Sequence, residues 1–481
     1  MRAYDKVIRV IERVYTLKSI KRLLYWDERV MMPSGQQTIR EKEQKAIATI
    51  IHRHMISSSL GKNILKAKKE KLNEKEKTIL KEIEQDHLRL KKIKQSLITE
   101  REAIHSKAMK SWKKAFANNN FKIFEKDLDE VIQIAKKYGK CINKKNPYAA
   151  LVEDYESGLN LEEIETLIYD AKKIAIKILK QRNTNKPKLH LRNIKISEEK
   201  RKKFETFLAE KIGVDLERAR IDWSTRSFSS SFGRIAVRKT DWLEEIQTIM
   251  HEGGHSIYEL GIPIEQYGTP LGETRSFAID ESQAIIWERY VEHTEEFWDY
   301  FLPIIKENYQ IPFDKQTIID ELTKVEKGFN RIKSDEITYI IHIIIRYEIE
   351  KEFINGNLKA KELPKLWNEK MKKYLGIIPP NDKEGILQDI HWSKGGIGYF
   401  PNYLIGAIMA SQIYYAAKEE NPQMEKSFAK GNFLILKNWL NENIHQHGRK
   451  YNTKELIKKA TKKELSIKTF ENHLIKKYYK K

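Results

Sequence analysis

The chain has 481 residues, of which 40% are hydrophobic and 33% charged, with a formal net charge of +22; that balance excludes a disordered chain and leaves material for a large core. A single cysteine, Cys141, excludes an internal disulfide framework and fits a reducing compartment. No run of 18 apolar residues exists to span a membrane, and the opening stretch MRAYDKVIRVIERVYTLKSIKRLLYW lacks the apolar core of a secretory signal, so the expectation is a cytoplasmic protein.

Apolar residues at three- and four-residue spacing predict helices over 2–24, 36–70, 74–118 and 122–140. Segment KAKKEKLNEKEKTILKEIEQ mixes both charge signs at helical spacing, the mark of a solvated face. The basic residues are spread along the chain with no recognition motif, which argues against a nucleic-acid partner despite the charge. Another helix opens after Asn160, a candidate N-cap, with Glu162 and Glu163 in its first turn. From residue 187 to about 240, short alternating runs with Ser and Gly predict a few strands, and beyond that the chain reads as helical to its end. The expectation is a mainly α protein with a small sheet beside the helix that starts near residue 241. It forms a single domain with an N-terminal helical half (1–186), a strand region (187–240) and a C-terminal helical half (241–481).

That helix carries IMHEGGHSIYEL. His251 and His255, four apart, lie on one face about one turn from each other, the spacing of two zinc ligands. Glu252 is rotated away from both and is placed to act as general base toward a water at the metal. Gly253 and Gly254 are poor helix residues, but a position without a side chain lets another backbone or a substrate come close. A hydrolytic zinc site needs a third protein ligand and an open position. The loop GIPIEQYGTPLGETRSF returns the chain to a second helix, AIDESQAIIWERYVEH, where Asp280 and Glu281 are both possible ligands. Glu288, two turns after Glu281, can hold a ligand histidine from behind.

Further on, NRIKSDEITYIIHIIIRYEIEKE puts Arg331, Asp335, Thr338, Tyr339, His342 and Arg346 along one very apolar helix, where charges need partners. Arg331 either holds a substrate carboxylate or pairs with Asp335. Segment GILQDIHWSKGGIGYFPNY combines Gln388, Asp389, His391, Trp392, Tyr399 and Tyr403 with four glycines and reads as an active-site wall.

These segments resemble, in order and nearly end to end, the thermostable metallocarboxypeptidase family of the carboxypeptidase Taq type. LLYWDERVMMPSG resembles its N-terminal Trp-Asp…Met-Pro segment, HEGGHSIYE its H-E-x-G-H-x-x-Y-E signature and DESQAIIWE its H-E-S-Q…E signature. RIKSDEITY and GILQDIHW followed by GYFPNY resemble its later motifs, and NWLNENIHQHG a C-terminal helix segment in which His445 and His447 have no catalytic part. The resemblance implies a helical, clam-shaped fold with a deep groove, usually dimeric, that releases C-terminal amino acids from peptides with zinc or cobalt bound. It implies Glu281 as the third ligand. It implies that Arg331 takes the terminal carboxylate, with Arg238, His391, Tyr399 and Gln388 as further substrate-binding residues and Glu288 and Asp280 behind the ligands.

Three positions depart from the family pattern. Arg226 and Ser227, before Phe228, stand where the family has His-Pro; Ala236 replaces an Asp, while Arg238 and Thr240 remain; and Asp280 stands in place of a His. These bear on peptide length and terminal-residue preference, not on the ligands. Two rival readings remain: a zinc oligopeptidase cutting inside short peptides, and a catalytically silent basic helical binding protein.

Overall fold

The computed structural model describes residues 1–181, 191–230 and 232–479. Its elements in chain order are α1 (Ala3–Val30), α2 (Gln37–Ile56), α3 (Ser58–Ala67), α4 (Glu74–Lys91), α5 (Gln95–Ala117), α6 (Lys122–Ile142), α7 (Pro147–Glu153), α8 (Leu161–Gln181), α9 (Glu198–Ile212), β1 (Arg220–Ser224), β2 (Phe228–Ser230), β3 (Arg234–Arg238), α10 (Trp242–Gly261), α11 (Phe277–Ile285), α12 (Glu295–Tyr309), α13 (Lys315–Leu322), α14 (Glu336–Asn355), α15 (Leu363–Leu375), α16 (Pro401–Glu420), α17 (Met424–Phe428), α18 (Leu434–Asn443), α19 (Thr453–Thr461) and α20 (Lys468–Leu474). They sort into two compact units. One comprises Met1–Glu84, Pro187–Thr323 and Gly406–Phe470; the other comprises Gln85–Lys186, Lys324–Ile405 and Glu471–Lys481.

In the first unit, β3 is the central strand. It runs parallel to β1, with Asp222 opposite Ala236, and antiparallel to β2, with Phe228 opposite Ala236. From β3 the chain passes through Thr240 straight into α10, so the sheet lies beside the H-E-x-x-H helix. Asp241 caps that helix by accepting from the N–H groups of Leu243 and Glu244. Burial of Ile246, Ile249, Met250, Ile257 and Tyr258 holds α10 continuous through its two glycines, against a cost of about 1 kcal/mol for each. Behind it, Phe204, Phe297, Phe301 and Phe433 form an edge-to-face and stacked cluster. In the second unit, α14 is buried on nearly every side, with Ile340, Ile341, Ile343, Ile344, Ile345, Ile349 and Phe353 all inside.

Several predicted boundaries shift for local reasons. The helix expected over 36–70 breaks at Ser57, whose hydroxyl accepts from Leu60 N–H and caps α3. The one expected over 74–118 breaks at 92–94, where Lys92 and Ile93 close a tight turn onto the carbonyls of Arg89 and Leu90. Asn160 is a cap as expected, in a reciprocal pair with Glu163. Of the strand region expected from 187, residues 187–190 lie outside the described residues, and 198–212 is helix α9. Ser197 caps it, Glu198 and Glu199 fill its first turn, and Phe204, Leu208 and Ile212 are buried at four-residue spacing. Strand is confined to 220–238. Finally, Arg331 is not on α14: it sits in a separate 3₁₀ turn, Arg331–Lys333, and Asp335 caps α14 by accepting from Ile337 and Thr338.

Candidate metal centre

The centre lies in the first unit, between α10 and α11. Gly254 is where the two helices meet: a Cβ there would stand 2.7 Å from both Ala284 Cα and Gln283 O. Side chains at that crossing would hold the backbones apart. On α16, Gly406 leaves room on another side, where a Cβ would come within 3.0 Å of Glu281 Cβ. With α11 this close, the buried Glu281 carboxylate reaches both imidazoles. Oε1 lies 3.9 Å from His251 Nε2, and Oε2 lies 3.8 Å from His255 Nε2. That is somewhat wider than the roughly 3.3 Å between ligand atoms around a tetrahedral zinc.

Both imidazoles are held from behind through Nδ1, which leaves Nε2 facing Glu281. His251 Nδ1 donates to Glu288 Oε2 at 2.8 Å, and His255 Nδ1 lies 3.2 Å from Asp280 Oδ1. Glu288 comes from a π-helical turn, Ile286–Val291, that continues α11; such turns recur at functional sites. Glu252 is buried beside the ligands. The electrostatics favour a cation. Burial works against charging His255, yet Asp280, Glu281 and Glu252 together push it up to about 10. Burial also works against ionised Glu288, yet Arg289 and His251 hold it down to about 2. Four carboxylates surround two imidazoles, and a dication matches that surplus negative charge. By donor chemistry, spacing and charge, the residues present fit a divalent metal.

Arg238, at the end of β3 in the same unit, forms an ion pair with Glu244 in the first turn of α10, and its N–H donates to Ser227 Oγ at 3.1 Å. Ala236 is fully buried within the sheet.

The second unit gathers Arg331, Gln388, His391 and Tyr399. Arg331 Nη2 donates to Asp389 Oδ1 at 2.8 Å and Arg346 Nε to Asp389 Oδ2 at 2.5 Å. Two buried guanidiniums thus share one carboxylate, for a net charge of +1. Despite burial, they hold Asp389 well below the usual carboxylate range. Gln388 ties them together: its Oε1 accepts from Arg331 N–H and Arg346 Nη2, and its Nε2 donates to Phe329 O. Tyr403, Phe400 and Tyr339 wall the Arg331 guanidinium, the rings centred 5.2, 5.5 and 5.8 Å from its Cζ. His391, whose imidazole burial pushes below its ordinary value, lies 5.2 Å from Tyr399 ring to ring, with its Nδ1 3.5 Å from Asp389. Asp389, expected in the active-site wall, is in addition the partner of both arginines, a pairing that sequence spacing does not name. The signal for it was two arginines on an apolar stretch, and Asp389 is the single carboxylate in GILQDIHWSKGGIGYFPNY.

The family model for carboxypeptidase Taq (M32) metallopeptidases matches residues 6–478. The chain belongs to this family. Thermostable carboxypeptidase 1 of Pyrococcus furiosus is 32% identical over 489 residues, covering 98% of each chain. Carboxypeptidase 1 of Bacillus subtilis is 30% identical over 483 residues, covering 98% of this chain and 96% of that one. A solved structure of the Pyrococcus furiosus carboxypeptidase superposes with a TM-score of 0.93 at 31% identity over 99% of both chains. An M32 metallopeptidase needs a metal, and among the described residues His251, His255 and Glu281 are the one group of three His, Cys, Asp or Glu donors that converges within 4.8 Å. Among the described residues of this M32 chain, no helix is long and apolar enough to cross a membrane.

Proposed function

We propose that the protein is a metal-dependent carboxypeptidase that removes single residues from the free C-termini of peptides, the whole chain serving as one catalytic domain. The observation that carries this reading is the convergence of His251 Nε2, His255 Nε2 and Glu281 on one point, with both histidines backed by carboxylates. One divalent ion, zinc by donor set and cobalt as the alternative, would there polarise the scissile carbonyl and acidify the attacking water. Glu252 takes the proton of that water and passes it to the departing amine. Glu288 and Asp280 fix the tautomer and orientation of His251 and His255. Arg331 receives the terminal carboxylate, because its triad with Arg346 and Asp389 carries an uncompensated positive charge beside aromatic walls. His391 and Tyr399 line the same subsite, and Gln388 acts by holding Arg331 and Arg346. Arg238 is a further substrate contact on the side of α10. The enzyme works as a cytoplasmic homodimer, which light scattering of the purified protein checks.

The deciding experiment gives the metal-loaded enzyme matched free-acid and amidated peptides and weighs the products. Stepwise loss of single C-terminal residues from the free acids, with the amides resistant, is expected. Internal cleavage of the amides would replace the carboxypeptidase reading with an oligopeptidase one.

A further inference from the structure

Glu350 lies on α14, one turn beyond Arg346, and is fully buried. Its two oxygens take three donors. Oε1 accepts from Trp392 Nε1 at 2.8 Å; Oε2 accepts from Gly398 N at 2.9 Å and from the Tyr148 hydroxyl at 3.0 Å. Burial pushes this carboxyl up to about 7, against the pull of these donors and of Arg346, so its charge is costly to keep. The arrangement explains why a carboxylate stands here. Only a group that accepts on both sides can satisfy donors arriving from both.

The two ends it holds are informative. Trp392 directly follows His391, and Gly398 directly precedes Tyr399. The turn between them is already fitted tightly to its surroundings: a Cβ on Gly398 would lie 2.7 Å from Leu151 C, and that residue's φ is +83°. Asn402 Nδ2 donates to Gly398 O at 3.2 Å from the start of α16. The carboxylate therefore closes a staple across the 392–398 turn, and the residues flanking the staple are His391 and Tyr399. We propose that Glu350 is a positioning residue for substrate binding: by pinning both ends of this turn it sets the spacing of His391 and Tyr399 in the subsite beside Arg331. The proposal rests on the reading that those two side chains contact the substrate.

Replacement by glutamine keeps the shape and removes one acceptor. Whichever way the amide turns, at least one buried donor then faces an N–H₂ group. The full-length, metal-loaded enzyme is compared with E350Q, W392F, H391A and Y399F and with the double variants E350Q/Y399F and E350Q/W392F. For E350Q, KM for free-acid peptides is expected to rise about tenfold with kcat within about threefold, the pattern of lost binding without lost chemistry. Metal content should stay unchanged, and amide exchange in peptides covering 391–399 should speed up. The E350Q and Y399F losses should combine to less than their product, since part of the E350Q loss runs through Tyr399 and the rest through His391. E350Q/W392F should recover part of the E350Q loss, because the opposed donor is gone. If E350Q does not fold, W392F alone must raise KM. Should KM stay normal in E350Q while H391A and Y399F raise it, or should the E350Q and Y399F effects multiply, Glu350 is structural only and the proposal falls while the substrate reading stands. If H391A and Y399F leave KM unchanged, their assignment to the substrate fails and takes this proposal with it.

Discussion

Glu281 reaches both histidines because two neighbouring positions have no side chain. Gly254→Ala would set a methyl 2.7 Å from backbone atoms of α11, which cannot rotate away. Overpacking of this kind costs about 1 to 3 kcal/mol. Because α11 must move, Gly254→Ala should also lose metal to a competing chelator faster than the parent. At Gly253 a Cβ meets Ile212 Cδ1 at 3.1 Å, a side-chain tip that can yield, so Gly253→Ala should be milder on both counts. Equal metal retention in the two variants would remove the close helix crossing from the account. The motif told of a close approach at these glycines, but the approaching backbone lies about thirty residues on and no local pattern names it. Arg331 teaches the same lesson differently. Sequence spacing offered Asp335 as its partner; the fold gives Asp335 to the cap of α14 and Arg331 to Asp389. Since Asp389 keeps Arg346, Arg331→Ala should fold and retain metal. Loss of the carboxylate contact should lower kcat/KM for free-acid peptides by about 2 to 4 kcal/mol and narrow their advantage over amides. An unchanged advantage would move the carboxylate role to Arg238. Glu252→Gln should keep the metal and lose turnover by roughly two to four orders of magnitude; near-normal turnover would assign the base elsewhere.

The long helices were legible from their apolar period, and the start of α8 from its cap at Asn160, although the caps at Ser57 and Ser197 were not. The breaks inside long periodic stretches, one residue at Ser57 and three at 92–94, were not legible, because the period resumes on the far side. Helix α9 was missed inside a region read as strands, and it is the element that braces the metal helix. Its buried Glu205 accepts from Trp223 Nε1 at 2.5 Å, while Glu245 of α10 takes Arg201 and, at 2.8 Å, Thr240 N–H. Burial first, and the adjacent Glu245 second, raise Glu205 above its ordinary value. The sign follows. The unfolded chain gives up this proton near the usual glutamate value of about 4.3, whereas the folded chain keeps it to higher pH. Stability from this group is thus full below the unfolded value and falls as pH rises through the folded one. Glu205→Gln should flatten that decline, so the drop in urea midpoint from pH 5 to pH 8 should be smaller than in the parent. Identical drops would show that Glu205 does not titrate in this window.

At the scale of the molecule, each compact unit is assembled from three separated stretches of chain, a division that no composition shift or linker announced. The charge is distributed at the same scale: 90 basic residues are interleaved with 68 acidic ones along the chain. The metal centre runs against the net charge of +22, because it concentrates Glu252, Asp280, Glu281 and Glu288 around two imidazoles. Without a cation those carboxylates repel one another, and they are relieved in part by protonating His255. A metal that binds only the folded chain must stabilise the whole protein, by about 2.7 kcal/mol at a free concentration a hundred times its Kd. Stripping the metal with a chelator should therefore lower the melting temperature, and adding zinc back should restore it in a concentration-dependent way. His251→Ala removes one donor and should erase the dependence, melting at one temperature with or without zinc. Glu252→Gln keeps all three donors and should retain the zinc-dependent shift while losing activity. A His251→Ala protein that still gains the full shift would place the stabilising metal outside this cluster.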